Sequence, residues 1–369
     1  MADALPIQTM RLIGYFPAGA IRKQNYNIAD IPAALLTHVI YAFANVTTAG
    51  DCVSENAKDD AVNFPQLAAL KAKFPQLLVS ISVGGASHST NFSAVCGSTA
   101  TRGHFVASCV QFMTENGFDG IDIDWEFPAA ADGANFVALL QELRSQLDAR
   151  GAADGRAYLL TIAAPAGPSN IGNLPLALIH PSLDWINLMT YDFAVASSHT
   201  TNFNAPLFAT KGALDVNDAI NSYLGAGVPA AKIVMGVRFV GTGWQGAGST
   251  DNGLHQAATG GPAPGTWDAP GTPPSGSFGF QDIENNYLPG DTRSWDDEAQ
   301  APWLYNTDTG IMITYEDPQS LTAKVAYVLS KQLAGVMIWE LAADDDAATL
   351  LNAIASALGS GTGGAGSAR

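Results

Sequence analysis

Eight short apolar runs, rich in β-branched and aromatic residues, alternate along the chain with stretches of amphipathic helical pattern. The runs span residues 11–16, 38–44, 77–83, 120–125, 158–163, 185–190, 233–239 and 335–339. The main helical stretches span residues 64–73, 102–116, 134–150, 216–224 and 320–333. Strand–helix alternation is typical of a parallel sheet with crossover helices. Eight such units predict an α/β fold of the (β/α)8 TIM-barrel type.

A doubly wound open sheet is the alternative arrangement of alternating strands and helices. Such sheets commonly carry a G-x-G-x-x-G segment directly after the first strand. The chain has no such segment there, which favours the closed barrel. With 369 residues, 47% of them hydrophobic, the chain is long enough to bury a large core.

One connection in this pattern is too long for a structureless loop. The seventh run ends near Val240, and the next helix is predicted to begin at Asp317, an N-cap residue followed by Pro318 at the first helical position. The intervening residues include a predicted β-hairpin at 303–315. The sequence therefore predicts a small α+β insertion between strand 7 and helix 7, which would form one wall of a cleft at the top of the barrel.

The predicted domain boundaries follow from this long connection. Residues 1–240 and 317–358 are expected to form the barrel, and residues 241–316 the insertion. Residues 359–369 are rich in Gly and Ser and predict a flexible linker or tail.

The chain is acidic, with a net charge of −17. This sign argues against nucleic acid or an anionic membrane as a partner. No apolar run reaches the roughly 18 residues of a membrane-spanning helix. We expect a monomer that acts outside the cell on a neutral or cationic substrate, although the first residues, MADALPIQ, carry no signal-peptide pattern.

The three cysteines, Cys52, Cys96 and Cys109, contain no C-x-x-C pair, so a zinc or redox motif is not expected. Cys109 lies at helical spacing from apolar residues and is predicted to be a buried thiol. Cys52 and Cys96 lie in separate polar segments, and the sequence leaves open whether they form a disulfide.

Residues 119–126 read DGIDIDWE and carry the chemistry of the chain. Alternate side chains of a strand face the same side, two residues being roughly 6.7 Å apart along it. Asp122, Asp124 and Glu126 therefore share one face. Adjacent carboxylates repel each other and raise at least one pKa, which suits an acid that keeps its proton near neutral pH beside a charged partner. A structural network or a metal site is the alternative, but no second acidic cluster completes a metal site, so none is predicted.

The octapeptide resembles the D-x-x-D-x-D-x-E signature of family 18 glycoside hydrolases, the chitinases. Four further segments are similar to motifs of that family in the same order: SVGG (82–85), LTIAAPAG (160–167), MTYD (189–192) and GVMIWEL (335–341). The resemblance covers nearly all of residues 10–358, and the insertion is similar to the α+β insertion of one chitinase subfamily. It implies hydrolysis of chitin and chito-oligosaccharides at β-1,4 bonds between N-acetylglucosamine units, with no metal or cofactor.

The resemblance also implies substrate-assisted catalysis with retention, in which the N-acetyl group of the substrate is the nucleophile. Glu126 would protonate the glycosidic oxygen and later act as the base toward water. Asp124 would hold the acetamide N–H, and Asp122 would share a proton with Asp124. Tyr191 would donate its hydroxyl to the acetamide carbonyl oxygen.

A substrate pocket around these groups is implied as well. Trp339 would form the floor under the sugar at the cleaved bond, because aromatic rings suit the apolar faces of pyranoses. The other substrate-binding residues implied are Tyr15, Phe43, Met189, Asp192, Ser82 and Ala163. For Tyr15 and Phe43, packing in the barrel core is the alternative. By parity or position, Asp119, Trp125 and Glu340 are expected to have structural roles.

The chain departs from the family pattern in two places. The residue after SVGG is often Trp, but here it is Ala86, which removes a stacking platform on the leaving-group side. The seventh strand of relatives resembles G-x-P-F-Y-G-R, whereas this chain reads GVRFVGT. Arg238 thus replaces a Pro, while Val240 and Thr242 replace a Tyr and an Arg. These changes weaken the expected grip on long chains without altering Glu126 or Asp124.

Two other functions are compatible with the same residues. One is an endo-β-N-acetylglucosaminidase that cleaves the cores of N-glycans. The other is a non-catalytic chitin-binding lectin, but such relatives lose the acid or its partner aspartates, whereas this chain keeps Asp122, Asp124, Glu126 and Tyr191. The sequence therefore favours the chitinase.

Overall fold

A closed barrel of eight parallel strands surrounded by helices forms the centre of the molecule. The computed structural model describes residues 10–209 and 213–362, with side chains through residue 359. A second, antiparallel sheet follows the seventh barrel strand.

The strands are, in chain order, β1 (Arg11–Pro17), β2 (His38–Val46), β3 (Cys52–Ser54), β4 (Leu78–Gly84), β5 (Gly120–Asp124), β6 (Leu159–Pro165), β7 (Trp185–Met189), β8 (Ile233–Arg238), β9 (Gly241–Ala247), β10 (Ala258–Pro262), β11 (Ser277–Phe278), β12 (Thr292–Asp296), β13 (Ala301–Asn306), β14 (Ile311–Thr314) and β15 (Gly335–Trp339). The α-helices are α1 (Ala20–Lys23), α2 (Ala57–Lys73), α3 (Phe92–Cys96), α4 (Thr99–Glu115), α5 (Gly133–Asp154), α6 (Pro168–Ile171), α7 (Leu176–Ile179), α8 (Val216–Gly225), α9 (Phe280–Asp282), α10 (Pro318–Ser330) and α11 (Thr349–Thr362).

The barrel closes because β1 pairs with a strand on each side. The strand order is β1-β15-β8-β7-β6-β5-β4-β2, and β2 pairs again with β1 in parallel register. Closure excludes the open doubly wound sheet. All eight predicted runs form barrel strands, with ends that differ from the prediction by at most two residues.

Two apolar layers hold this barrel together. The side chains that face outward from the strands pack against the helices in one large core, to which Ile121, Ile123 and Trp125 belong. A smaller core fills the barrel interior and includes Ile13, Ile40 and Met337. The prediction for Trp125 is confirmed, since its ring stacks on Phe92 of α3 with the ring centroids 5.2 Å apart.

Helix α2 begins earlier than the sequence predicts. Its first residue is Ala57 rather than residue 64, because the side chain of Asn56 caps the helix by accepting a hydrogen bond from the Lys58 N–H. The buried carboxylates of its first turn are paired, Asp59 with Arg22 and Asp60 with the Tyr41 hydroxyl. Tertiary partners of polar residues therefore extend the helix beyond its apolar pattern.

The connection between β8 and α10 contains a six-stranded antiparallel sheet. Its strand order is β10-β9-β14-β13-β12, with β11 paired to β9. The hairpin predicted at 303–315 is confirmed as β13 and β14, which pair from Trp303 to Asn306. Asp317 caps α10 as predicted, since its carboxylate accepts a hydrogen bond from the Ser320 N–H at 2.9 Å.

The predicted tail begins inside a helix. Helix α11 continues to Thr362, so residues 359–362 are helical, and residues 363–369 lie outside the described part of the chain. Within the described residues, no helix is long and apolar enough to cross a membrane.

All three cysteines are buried free thiols, so the Cys52–Cys96 disulfide that the sequence left open is not formed. Strand β3 lies against α4, which makes Cys109 rather than Cys96 the neighbour of Cys52. Burial raises the pKa of Cys109 well above its ordinary value, which confirms its prediction as a buried thiol.

Asp119 ties the amino-terminal end of β5 to its neighbours, which confirms its predicted structural role. Its carboxylate accepts hydrogen bonds from the Val79 N–H at 2.8 Å, from Lys71 Nζ at 2.8 Å and from Arg156 Nη2. The side chain is 3% exposed, so water cannot replace these partners.

Asp119→Ala is expected to lower the free energy of unfolding by about 2 kcal/mol, since it leaves the Val79 N–H without its acceptor and removes a buried partner from two cations. Denaturant unfolding of the variant measures this change. The control is Asp148→Ala, which removes a 67% exposed partner of Arg144 and should change stability by less than about 0.5 kcal/mol. Equal stability of the two variants would contradict the role of Asp119.

Candidate active site

Three carboxylates lie at the carboxyl end of β5. Asp122 is 0% and Asp124 3% exposed, and Glu126 follows two residues beyond the strand end in a half-buried position. Asp124 and Glu126 line a cleft at the mouth of the barrel, whose volume is about 520 Å³. The face predicted from the alternation of β5 is therefore the face that meets the cleft.

Asp122 is held below the cleft by four neutral donors. Tyr15 Oη and Ser82 Oγ each donate to Oδ2 at 2.8 Å, while Thr161 Oγ1 donates to Oδ1 at 2.6 Å and Asn187 Nδ2 to Oδ1 at 3.3 Å. Burial raises the pKa of Asp122 above its ordinary value, although these four bonds oppose the shift.

Ser82 does not belong to the substrate pocket that the resemblance implied. It is 0% exposed, and it is paired in register with Asp122 on the adjacent strand. Strand alternation points its hydroxyl into the barrel one step below the cleft, where it holds Asp122. A role in positioning the carboxylates replaces the predicted contact with substrate.

The Asp124 carboxyl hydrogen-bonds with Glu126, whereas all four side-chain partners of Asp122 are neutral groups. The sharing of a proton between Asp122 and Asp124 stays a prediction, and the carboxyl group that hydrogen-bonds with Asp124 in this structure is that of Glu126. Burial, reinforced by the charges of Glu126 and Asp122, raises the pKa of Asp124 well above its ordinary value. Asp124 Oδ1 is buried and has no hydrogen-bond partner among the described residues, so it remains free to accept a bond from a ligand.

Glu126 holds its proton to near neutral pH. Burial, followed by the charge of Asp192, raises the pKa of Glu126 from 4.5 to about 7, and only the hydrogen bond with Asp124 lowers it. Its backbone N–H donates to Ser89 Oγ at 2.8 Å, and Ser89 Oγ in turn donates to the carbonyl oxygen of Gly85 at 2.9 Å. The loop after β4 thereby fixes the backbone position from which the Glu126 side chain extends.

The two glycines of the SVGG segment allow this close contact between the ends of β4 and β5. Gly84 has φ +114°, and a Cβ atom there would lie 2.2 Å from the carbonyl oxygen of Asp124. Gly85 has φ +88°, and a Cβ atom there would lie 2.7 Å from the ring of Phe43. Any larger residue would push the loop away from Asp124 and Glu126.

Tyr191 and Asp192 reach the cleft from the end of β7. Tyr191 is 9% exposed, and burial together with the charges of Asp192, Asp124 and Glu126 raises its pKa well above the ordinary value. Its hydroxyl is therefore a donor at any physiological pH. Asp192 has φ +60°, and Asn204 Nδ2 donates to Asp192 Oδ1 at 2.8 Å.

Aromatic rings form the floor of the cleft. Trp339 is stacked beside Phe43, with ring centroids 5.9 Å apart and planes 25° from parallel, and it meets Tyr15 at 5.7 Å. Tyr15 and Phe43 both line the cleft. Tyr15 also belongs to the inner core of the barrel, and Phe43 packs against that core. Met189 and Ala163 line the cleft beside them.

Three non-proline cis peptide bonds lie at this mouth. They join Ala42 to Phe43, Glu126 to Phe127 and Trp339 to Glu340.

Several cleft residues were missed by the sequence or were assigned other roles. Trp267, Ser277 and Gln24 line the cleft, and Trp267 and Ser277 come from the segment between β8 and α10. A single Trp in a stretch rich in Gly and Pro is the signal that could have found Trp267. Glu340, expected to be structural, also lines the cleft, and the Gln24 side chain donates to its carboxylate.

The chain matches the family described as "Glycosyl hydrolases family 18" over residues 11–344. It belongs to this family. Among curated proteins it is 37% identical to chitinase A1 of Niallia circulans, over 93% of this chain and 58% of that protein. It is also 37% identical to endochitinase 1 of Metarhizium robertsii, over 89% of this chain and 80% of that protein. The chain therefore spans less than two thirds of the first relative and four fifths of the second.

Solved structures of family 18 chitinases share the fold. Chitinase ChiA74 from Bacillus thuringiensis superposes with a TM-score of 0.89 at 34% identity, over 96% of this chain and 70% of that chain. Class V chitinase from Nicotiana tobaccum, solved in complex with NAG4, has a TM-score of 0.85 at 28% identity, over 95% of this chain and 99% of that chain.

Within residues 10–209 and 213–362, no group of three or more His, Cys, Asp or Glu side chains is arranged to hold a metal ion. Asp122 already has four hydrogen-bond donors around its two oxygens.

Glu126→Gln is expected to stabilise the fold at alkaline pH. Because folding raises the pKa of Glu126 from 4.5 to about 7, the folded chain keeps a proton there that the unfolded chain releases. Below both pKa values the residue is protonated in either state and has no effect on stability; stability then falls as pH rises from one value to the other. At about pH 8 the variant should exceed the wild type in free energy of unfolding by up to about 3 kcal/mol, and at about pH 4 by little.

Denaturant unfolding of both proteins at the two pH values measures this difference. A gain of equal size at both pH values would show that the substitution acts through packing rather than through the raised pKa. No gain at the alkaline value would contradict the raised pKa itself.

Proposed function

We propose that the chain hydrolyses chitin and chito-oligosaccharides at β-1,4 bonds between N-acetylglucosamine units, with retention and with the acetamide group of the substrate as the nucleophile. One observation carries the proposal: Glu126, with a pKa of about 7, lies hydrogen-bonded to Asp124, whose Oδ1 is buried and unpartnered among the described residues. This pair offers a proton donor and an amide acceptor at one point of the cleft.

In the first step Glu126 donates its proton to the glycosidic oxygen, and the bond from that oxygen to the anomeric carbon breaks. The acetamide carbonyl oxygen of the same sugar bonds to the anomeric carbon and forms an oxazolinium ion. Asp124 Oδ1 accepts the hydrogen bond of the acetamide N–H, and Tyr191 donates its hydroxyl to the carbonyl oxygen. Holding the internal nucleophile against the carbon is a proximity effect, for which effective molarities of about 10⁵ M or more are known.

In the second step Glu126, now a carboxylate, takes a proton from water as the water attacks the anomeric carbon from the side of the departed group, and the bond from the acetamide oxygen to that carbon breaks. Two inversions give net retention. The negative charge that Glu126 gains in the first step lies beside the positive charge of the oxazolinium ion. Asp122 acts through Asp124, because its buried charge raises the pKa of Asp124 and keeps the Asp124–Glu126 hydrogen bond protonated.

The cleft favours an acetylated, neutral sugar. The aromatic floor of Trp339 and Phe43 supplies a stacking surface for the apolar face of a pyranose. Ala163 and Met189 also line the cleft, and their apolar side chains suit the acetyl methyl group. The substrate-binding roles of Tyr15, Phe43, Met189, Asp192, Ala163 and Trp339 are parts of this proposal.

The segment 241–316 is proposed to be a subdomain that forms one wall of this cleft. Trp267 and Ser277 line the cleft from that segment, whereas Ala86 supplies no ring on the leaving-group side. Binding should therefore depend more on sugars near Trp339 and Trp267 than on those beyond the cleaved bond. The same proposal includes a monomer acting outside the cell, where an insoluble polysaccharide is accessible.

Substituting the proton donor should separate turnover from binding. Glu126→Gln is expected to lower kcat by at least about 10³-fold, because the amide has no proton to give, while chito-oligosaccharide affinity stays within about tenfold. Asp124→Asn should lower kcat by about 10²-fold or more, because the amide keeps an acceptor oxygen but carries no charge to stabilise the oxazolinium ion. Steady-state kinetics on chito-oligosaccharides and calorimetric binding measure both quantities. Full activity of Glu126→Gln would refute the assigned acid.

The nucleophile can be tested by changing the substrate. Chito-oligosaccharides are expected to be cleaved, and fully deacetylated oligomers of the same length are expected to be inert, since they lack the acetamide oxygen. Product analysis by mass spectrometry and by NMR of the fresh anomer measures both outcomes. Rapid cleavage of the deacetylated oligomers, or an inverted anomer from the acetylated ones, would require a nucleophile on the protein or a direct attack by water.

A further inference from the structure

Arg238, at the end of β8, places a guanidinium group in the cleft. Its Nη1 donates to Thr242 Oγ1 at 2.7 Å and to the carbonyl oxygen of Val240 at 3.3 Å, and it lies 3.5 Å from Asp192 Oδ1. The side chain is only 15% exposed, and Nε is buried without a hydrogen-bond partner among the described residues. This is a costly position for a cation unless a nearby charge compensates it.

The sequence of β8 shows why the guanidinium lies here. In the G-x-P-F-Y-G-R pattern of relatives a Pro stands where this chain has Arg238, and an Arg stands where it has Thr242. The Thr242 hydroxyl accepts a hydrogen bond from Arg238, so the two positions meet in space. In this chain the cation stands on the last residue of β8, four residues before Thr242 near the start of β9.

Asp192 connects this cation to the acid. Its Oδ1 lies 3.5 Å from Arg238, and its charge is the largest contribution after burial to the raised pKa of Glu126. A second anchor does not involve the guanidinium itself: Asn204 Nδ2 donates to Asp192 Oδ1 at 2.8 Å, and the Asp192 N–H donates to Asn204 Oδ1 at 3.3 Å. Asp192 should therefore stay in place when the guanidinium is removed.

We propose that Arg238 is a positioning residue of the reaction. It fixes the orientation of the Asp192 carboxylate and compensates part of its negative charge. Asp192 therefore raises the pKa of Glu126 by less than an unpaired carboxylate would. The proposal rests on the assignment of Glu126 as the acid. Arg238 does not touch the reacting atoms in this scheme, and its effect reaches them through Asp192.

Other titratable groups line the same part of the cleft, and none of them is changed in the variants of the test. Asp124 lies beside Glu126 on the loop side of β5, and Tyr191 precedes Asp192 after β7. Burial raises the pKa of Glu340, after β15, and the hydrogen bond from Gln24 and the charge of Arg238 oppose this rise. The remaining titratable side chains that line the cleft are Arg22, Lys23, Glu55, Asp59 and His88.

The test is a double-mutant cycle read as the pH dependence of kcat/KM on a chito-oligosaccharide. The alkaline limb of this profile reports loss of the proton from the acid in the free enzyme. Arg238→Met leaves the charge of Asp192 uncompensated, which raises the pKa of Glu126 and should move the limb to higher pH by about 0.5 to 1 unit. Asp192→Asn removes that charge and should move the limb to lower pH by a similar amount.

The double variant decides between positioning and direct binding. If Arg238 acts through Asp192, adding Arg238→Met to Asp192→Asn should leave the limb within about 0.2 pH unit of Asp192→Asn alone. Arg238→Lys keeps the charge and should keep the limb near its wild-type position. The control is Arg150→Met on α5, whose partner Asp154 lies 2.6 Å away and which does not line the cleft; its limb should not move.

Three results would overturn the proposal. In Arg238→Met the alkaline limb could stay in place, or it could move to lower pH. In the third case, Arg238→Met would shift the limb equally in the wild type and in Asp192→Asn. A higher KM with an unmoved limb would assign Arg238 to direct substrate binding. Failure of the proposed function would look different, because wild-type protein would then show no turnover of the oligosaccharide at all.

Discussion

The removal of three neighbouring carboxyl groups from water is the constraint on which the site depends. Asp122, Asp124 and Glu126 lie on one face of β5, where burial is the largest contribution to the raised pKa of each. A carboxylic acid side chain in water would release its proton near pH 4 to 5 and could not act as an acid at neutral pH. The barrel interior supplies the dry surroundings, and the four donors around Asp122 supply the polar partners that burial otherwise removes. Exposure to the cleft therefore increases along this face, from Asp122, which is fully enclosed and hydrogen-bonded, to Glu126, which lines the cleft.

The barrel fixes this order of exposure because the ends of several strands each position one part of the site. Gly84 and Gly85 allow the end of β4 to lie against Asp124, and Ser89 holds the Glu126 backbone. Tyr191 and Asp192 approach from β7, and Trp339 supplies the floor from β15. The sequence separations between these segments are large, so the site exists only when the barrel is closed. The fold therefore maintains a carboxyl cluster that opposes its own stability above neutral pH, as expected where function rather than stability sets the arrangement.

The sequence was a good guide where the information is local. The alternation of DGIDIDWE predicted which side chains of β5 face inward, and the apolar runs predicted all eight barrel strands, because strand parity and burial follow from neighbouring residues. It failed where a side chain is defined by a distant partner. Ser82 was placed in the pocket, but its register with Asp122 puts its hydroxyl below the cleft. The Cys52–Cys109 contact and the hydrogen bond between Asp124 and Glu126 depend on three-dimensional neighbours that spacing does not encode. The sequence shows that Arg238 and Thr242 depart from the family pattern of the seventh strand. Only the three-dimensional structure shows that the guanidinium lies beside Asp192.

The central claim is that the folded chain keeps a proton on Glu126 to near neutral pH. Its most direct test is an infrared difference titration of the carboxyl groups, in which the spectrum of Glu126→Gln is subtracted from that of the wild type so that the Glu126 band is isolated. The account predicts a midpoint at about pH 7 for the loss of the protonated carboxyl band. A midpoint near the ordinary value of 4.5 would contradict it.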